Sequence, residues 1–151
     1  MSDLEALEHW VGPLLQRVEP AARTKLARTV AKDLRRSQQQ RVIAQCNPDG
    51  SPYAPRKPRQ LRGKKGRVRR KVKMFQKMRT ATYLKAQGDA AGASVGFAGR
   101  IARIANVHQK GLKDRVARGG AVVQYEQREL LGFTDAEIDQ LRDTLLAHLT
   151  L

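Results

Sequence analysis

Between positions 45 and 73 the chain reads QCNPDGSPYAPRKPRQLRGKKGRVRRKVK, and no helix or central strand can pass through it. Pro48, Pro52, Pro55 and Pro58 each lack a backbone donor and push the preceding residue out of the helical region. Asn47-Pro48 and Asp49-Gly50 are turn dipeptides, with Gly50 supplying a positive φ at little steric cost. The turn cluster runs into an arm, 56–73, that holds 11 Lys or Arg among 18 residues and no acid. This segment divides the chain. The residues before it have helical spacing, and those after it carry the signals of short strands and helices.

Ahead of the arm, Ser2-Asp3-Leu4-Glu5 is a capping box, and Leu4, Leu7, Val11 and Leu14 predict a first helix to about Arg17, bent at Gly12-Pro13. Pro20 suits the first position of a second helix, where its missing donor is harmless. Leu26, Val30, Leu34 and Val42 then mark one stripe, with Arg23, Lys25, Arg28, Lys32, Arg35 and Arg36 mostly on the other face. This helix, over 21–44, is the longest expected element, about 24 residues or some 36 Å.

After the arm, 74–78 suggests a helical turn. A β-hairpin is expected over 79–98, its strands at 79–87 and 93–97 and its loop at 88–92. A short helix comes next, over 99–109, with Gly111 placed to end it in the left-handed conformation. The polar, glycine-tipped stretch 112–120 reads as a mobile loop and 121–125 as a third strand. One helical turn at 128–131 is closed by Gly132. Thr134-Asp135-Ala136-Glu137 is a second capping box, opening a final helix with Ile138, Leu141, Leu145 and Leu149 as its stripe. The expected fold is α+β: long N-terminal helices, one small antiparallel sheet packed on the long helix, a C-terminal helix and an extended basic loop, in a single domain spanning 1–151.

Charge narrows the partners. The net charge is +16, and the arm carries 11 of the cations behind it. Such a focused positive field favours nucleic acid or an acidic protein face. A single cysteine, Cys46, excludes an internal disulfide and a multi-cysteine zinc site. The opening MSDLEALEHW carries acids where a signal peptide would need positive charge, and nothing approaches the ~18–20 apolar residues of a membrane span. A protein of the reducing cytoplasm, with no membrane contact, is therefore expected.

Chemistry is hard to find. His9, His108 and His148 have no paired metal-ligand spacing, and His108 is placed for its imidazole to cap helix carbonyls. Cys46 has no base at a recognisable spacing, and Ser51 and Ser94 lie in no nucleophile elbow. Gly63-Lys64-Lys65-Gly66 lacks the flanking strand and helix of a phosphate loop. No enzyme activity, metal or cofactor is expected.

The arm supports three readings: backbone contact with nucleic acid, docking onto an acidic protein surface, or a solvated insertion that mediates nothing. Arg62, Lys64, Lys65, Arg67, Arg69, Arg70, Lys71 and Lys73 are its candidate contacts. With only Tyr53 and Phe75 near its ends it lacks aromatic interleaving, so nucleic-acid binding would discriminate poorly among sequences.

Three segments together resemble a known family. They are Gln45-Cys-Asn-Pro-Asp-Gly-Ser-Pro-Tyr-Ala-Pro-Arg-Lys-Pro58 after a long helix, Val107-His-Gln-Lys-Gly-Leu112, and Tyr125-Glu-Gln-Arg-Glu-Leu-Leu-Gly-Phe-Thr-Asp135 before a final helix. They are similar to the tail-completion, or virion morphogenesis, proteins of contractile-tailed temperate phages. The resemblance implies a structural protein that finishes the head-proximal end of the tail, so that a DNA-filled head can join. It further implies a homo-oligomeric ring, commonly six-fold, with tail and neck (connector) proteins as partners and packaged DNA as a further contact. The place of action would be the virion's tail–head junction, with the host cytoplasm as the site of assembly. No catalytic residues come with the family. The matched Pro48, Asp49, Gly50, Pro52, Tyr53, Pro55, His108, Gly111, Arg128 and Gly132 would shape loops and helix ends, with Tyr53 as an anchor. A cytoplasmic, sequence-nonspecific nucleic-acid-binding protein acting through the arm is the alternative.

Overall fold

The computed structural model describes Glu5, His9, residues 19–56 and residues 73–149. Helix α1 spans Pro20–Ile43. Strands β1 (Leu84–Gly88) and β2 (Ala93–Phe97) pair as a hairpin. Helix α2 (Ile101–Lys110) comes next, then strands β3 (Lys113–Arg115) and β4 (Val122–Gln124), and helix α3 (Asp135–Leu149) closes the series. The class is α+β, as expected. The predicted helix at 2–17 lies outside the described residues, apart from Glu5 and His9, which are helical.

Helix α1 begins at Pro20, the position where a proline costs a helix nothing. Its buried residues, Ala27, Val30, Ala31, Gln38, Arg41 and Val42, recur at helical spacing. Two of the six are polar. They lie where the apolar stripe would otherwise continue between Leu34 and Val42.

Four expectations are corrected. The first hairpin strand begins at Leu84 rather than at 79, because 80–83 is a turn in which Thr80's carbonyl accepts from the Tyr83 and Leu84 amides at 3.0 and 2.9 Å. The stretch 112–120 contains β3, which pairs antiparallel with β4 in the register Lys113↔Gln124, Asp114↔Val123, Arg115↔Val122. The expected single sheet is thus two separate two-stranded sheets, β1-β2 and β3-β4. Finally, 128–131 is not a helical turn: the Arg128 amide bonds the His108 carbonyl, and those of 129–131 are held by side chains from other segments, described below.

The chain falls into two compact units, one of residues 1–35, 86–95 and 135–151, the other of 36–85 and 96–134. In the first, Ala27, Val30 and Ala31 are buried, and Gly88 lies against the backbone of α1. A Cβ at Gly88 would stand 2.5 Å from the Ala27 carbonyl carbon and the Arg28 nitrogen, so glycine alone permits this approach. The second unit holds a core of Val42, Tyr53, Met74, Phe75, Met78, Ala105 and Leu130, with Phe97 and Ile101 packed against it. Leu84 and Leu130 are fully shielded from solvent.

Candidate functional site: an interlock at the root of the basic arm

The site is built where α1 stops. Gln45 adopts φ 59°, its amide bonds the Val42 carbonyl at 3.0 Å, and the Cys46 amide reaches the Arg41 carbonyl at 3.3 Å. These paired bonds form a Schellman cap, which usually puts glycine at the left-handed position. Glutamine is retained here because its side chain is in use. Its Nε2 donates to the carbonyls of Val42 and Met74 at 2.6 and 2.9 Å, and its Oε1 accepts from the Met74 amide at 2.8 Å. Met74 begins the chain's return from the arm, so Gln45 holds one end of the arm. Lys73, the one predicted contact residue of the arm within the described residues, donates from Nζ to the Ile43 carbonyl at 3.4 Å. Arg62, Lys64, Lys65, Arg67, Arg69, Arg70 and Lys71 lie outside the described residues.

The proline-rich turn comes directly after. Gly50, at φ 86°, bonds the Asn47 carbonyl at 2.9 Å, and the Asp49 carboxylate accepts from both the amide and the hydroxyl of Ser51. Those two bonds hold the Asp49 carboxyl below its ordinary value. Pro52 bridges back to Cys46, and the Tyr53 amide donates to the Gln45 carbonyl at 2.8 Å. The Tyr53 ring is buried, and its hydroxyl donates to the Glu129 carbonyl at 3.2 Å. Burial pushes its phenol up to about 12.

Arg128 holds the other end of the arm. Its Nε and Nη2 donate to the carbonyls of Ala54 and Pro55 at 2.7 and 3.1 Å, immediately before Arg56. Its Nη1 lies 3.4 Å from His108 Nδ1. A guanidinium has only donors, so this ring nitrogen accepts and His108 is neutral. Burial, then the charges of Arg128 and Arg56, push His108 down to about 4. Burial also lowers Arg128 from its ordinary value, opposed by the attraction of Glu126.

The imidazole does not cap helix carbonyls, contrary to the reading from its position. The His108 carbonyl receives the amides of Gly111 and Arg128 at 3.4 and 2.8 Å, and Gly111 at φ 62° completes a second Schellman cap. The ring instead joins an edge-on series: Tyr53–Phe75 at 5.7 Å, Phe75–His108 at 4.9 Å and His108–Tyr125 at 5.1 Å between centroids. Such edge-to-face pairs are favourable beyond the area they bury.

The segment 129–132 is fastened by side-chain amides. Asn47 Oδ1 accepts from the Glu129 amide at 2.9 Å, and Gln109 Oε1 from those of Leu130 and Leu131 at 2.8 and 3.0 Å. Gln38 Oε1 accepts from the Gly132 amide at 3.0 Å, while Arg41 bonds both Gln38 and the Gly132 carbonyl. With these contacts made, the amides of 129–132 are already committed and cannot serve a helical turn. Gly132 sits on the ring of Pro48: a Cβ there would stand 2.5 Å from Pro48 Cγ.

The structure therefore brings together Pro48, Tyr53, Pro55, His108, Gly111, Arg128 and Gly132, from three distant segments, while Asp49, Gly50 and Pro52 shape the turn within the first of them. Sequence reasoning gave no joining role to Gln38, Arg41, Gln45, Asn47 and Gln109, the side chains that link those segments. One signal for them was available, since Gln38 and Arg41 interrupt an apolar stripe at positions that belong to it. Chemically the arrangement is a joint: donors saturate carbonyls, and its histidine is neutral and already bonded. Among the described residues, no three His, Cys, Asp or Glu side chains converge to hold a metal ion.

The three interlocked segments are those that carry the sequence resemblance. A profile of the phage virion morphogenesis family matches residues 2–150. Tail completion protein S of Escherichia phage P2 is 40% identical over 150 residues, covering 99% of each chain. No solved structure gives a significant match. With a family match over nearly its whole length and a full-length relative at this identity, the chain belongs to the phage virion morphogenesis family.

Proposed function

We propose that this chain is a structural protein of the phage tail, one that completes the tail's head-proximal end so that a DNA-filled head can join. It works as a ring-forming adaptor, six-fold to match a tail tube, between tail and neck proteins at the tail–head junction of the virion, and it assembles in the host cytoplasm. Each copy is one domain over 1–151 that presents the basic arm 56–73. No catalytic step belongs to this reading.

The observation that carries it is the fastening of the arm at both ends, by Arg128 on the carbonyls of Ala54 and Pro55 and by Gln45 on Met74. Fixing both ends reduces the ordering cost of any contact the arm makes. Repeated around a ring, the arms raise the effective concentration of positive charge without a new kind of contact. They face packaged DNA or an acidic partner surface.

Replacing Arg67, Arg69, Arg70 and Lys71 by glutamine tests the arm. Expected are normally folded protein and assembled tails that fail to take heads; an unchanged yield of infectious phage refutes the role of the arm. The 11 cations in 18 residues also favour the second reading, a sequence-nonspecific nucleic-acid binder. The mass of the purified protein separates the two: a closed oligomer without DNA belongs to the adaptor, and a monomer that shifts only with duplex DNA, less so as salt rises, to the binder.

A further inference from the structure

From two oppositely charged exposed surfaces, we infer that neighbouring copies join head to tail, the β3–β4 hairpin of one copy docking on helix α3 of the next. The inference rests on the ring reading and names the surfaces that would close the ring.

The hairpin is sorted by strand alternation. Lys113 and Arg115 share one face with their partners Gln124 and Val122, and all four are exposed. Asp114, its one acid, lies on the opposite face with Val123. There the Asp114 carboxylate pairs with Arg103 and accepts the Arg115 amide at 2.8 Å. The outward face is left cationic, with Val122 in the open on it at 58%, and beyond the strand end Val116, at 54%, and Arg118 are exposed as well. A two-stranded ribbon with an exposed valine beside its cations fits a partner that is both acidic and apolar.

The chain carries such a surface. Among the described helices and strands, α3 alone has more acids than bases: Asp135, Glu137, Asp139 and Asp143 against Arg142. Asp135, Asp139 and Asp143 recur every four residues, so they form one exposed row, which Leu146 extends at 58% exposure. Arg142 approaches Asp139 only at 3.6 Å, with both side chains well solvated, and such a pair is weak. The spacings agree: cations two apart on a strand stand about 7 Å apart, and carboxylates four apart on a helix about 6 Å. In a chain of net charge +16, random approach of copies is repulsive, so an acidic row selects the orientation that places it on a cationic one. Unlike surfaces meeting in this way give a heterologous interface, which closes into a ring when the rotation allows.

The test is a charge exchange read by the mass of the protein in solution. One variant carries Lys113→Glu with Arg115→Glu, and another Asp139→Lys with Asp143→Lys; Asp135 is spared because a cation in the first turn opposes the helix dipole. Each variant should fold as the wild type does by circular dichroism and associate roughly tenfold to a hundredfold more weakly. A chain carrying all four substitutions should regain the oligomer, and a variant that merely misfolded would not be rescued. If the wild type is oligomeric and neither pair of substitutions weakens it, or the exchanged chain fails to reassemble, this interface is wrong and the ring reading stands. If the wild type stays monomeric at high concentration, the ring reading fails and the interface with it.

Discussion

The two helix ends at the interlock share a backbone and differ in the residue that makes it. Helix α1 turns off at Gln45 with φ 59°, and α2 at Gly111 with φ 62°, each with the paired bonds of a Schellman cap. At Gly111 a side chain would be crowded, since a Cβ would stand 3.1 Å from Gln127 Cβ and 3.2 Å from the Gln127 nitrogen. At Gln45 a side chain is needed, because its amide binds both the N–H and the C=O of Met74. One cap is chosen by space and the other by a bond to the far side of the arm. The left-handed conformation therefore does not demand glycine; the surroundings decide whether its strain is offset.

The largest effect should come from forcing the spatial cap. Gly111→Ala adds the cost of a left-handed non-glycine residue, about 1–2 kcal/mol, to crowding against Gln127, so a loss of about 2 kcal/mol or more is expected in urea unfolding. A loss below half that would mean that the segment at Gln127 yields easily and the two caps differ less than their geometry indicates.

An intermediate effect comes from His108, in the last turn of α2 beside Arg128. Its ordinary value is 6.5 and its folded value about 4, so the folded state binds fewer protons in between. The stability due to this group is complete above about 6.5 and is lost as pH falls toward about 4. After discounting for partial exposure, this amounts to about 1–2 kcal/mol. His108→Phe keeps a ring between Phe75 and Tyr125 and should flatten the acid side of the stability–pH curve by that amount. An unaltered curve would show that His108 does not titrate there.

The smallest effect sharpens the other cap. Gln45→Gly relieves the strained φ by about 1 kcal/mol but strips Met74 of two partners, for a net loss of about 1 kcal/mol. The Met74 amide should also exchange with solvent markedly faster, as read by hydrogen exchange. A stabilised variant would mean that the strain outweighs the clamp.

Much of the fold was legible because it is local. Pro20 marks the start of α1, Gly111 the end of α2, and Thr134-Asp135 the start of α3, each through the chemistry of one or two residues. What was misread depends on partners distant in sequence. Residues 128–131 have the composition of a helical turn, yet Asn47 and Gln109 take the amides a helix would use. His108 is placed like a helix cap, but Phe75 and Tyr125 claim its ring. The stretch 112–120 looks like a loop until β4 supplies a partner for β3.

By itself, then, the sequence determined the α+β class, the major helix and hairpin positions, the isolation of a basic arm and the family. These come from periodicity, caps, charge density and three ordered motifs. Tertiary structure alone decided that those motifs meet, that Gln38 and Arg41 bond Gly132, and that Gln45 and Arg128 hold the two ends of the arm. The reason is physical: a side-chain amide or guanidinium has no preferred partner until folding brings unsatisfied backbone groups within about 3 Å of it.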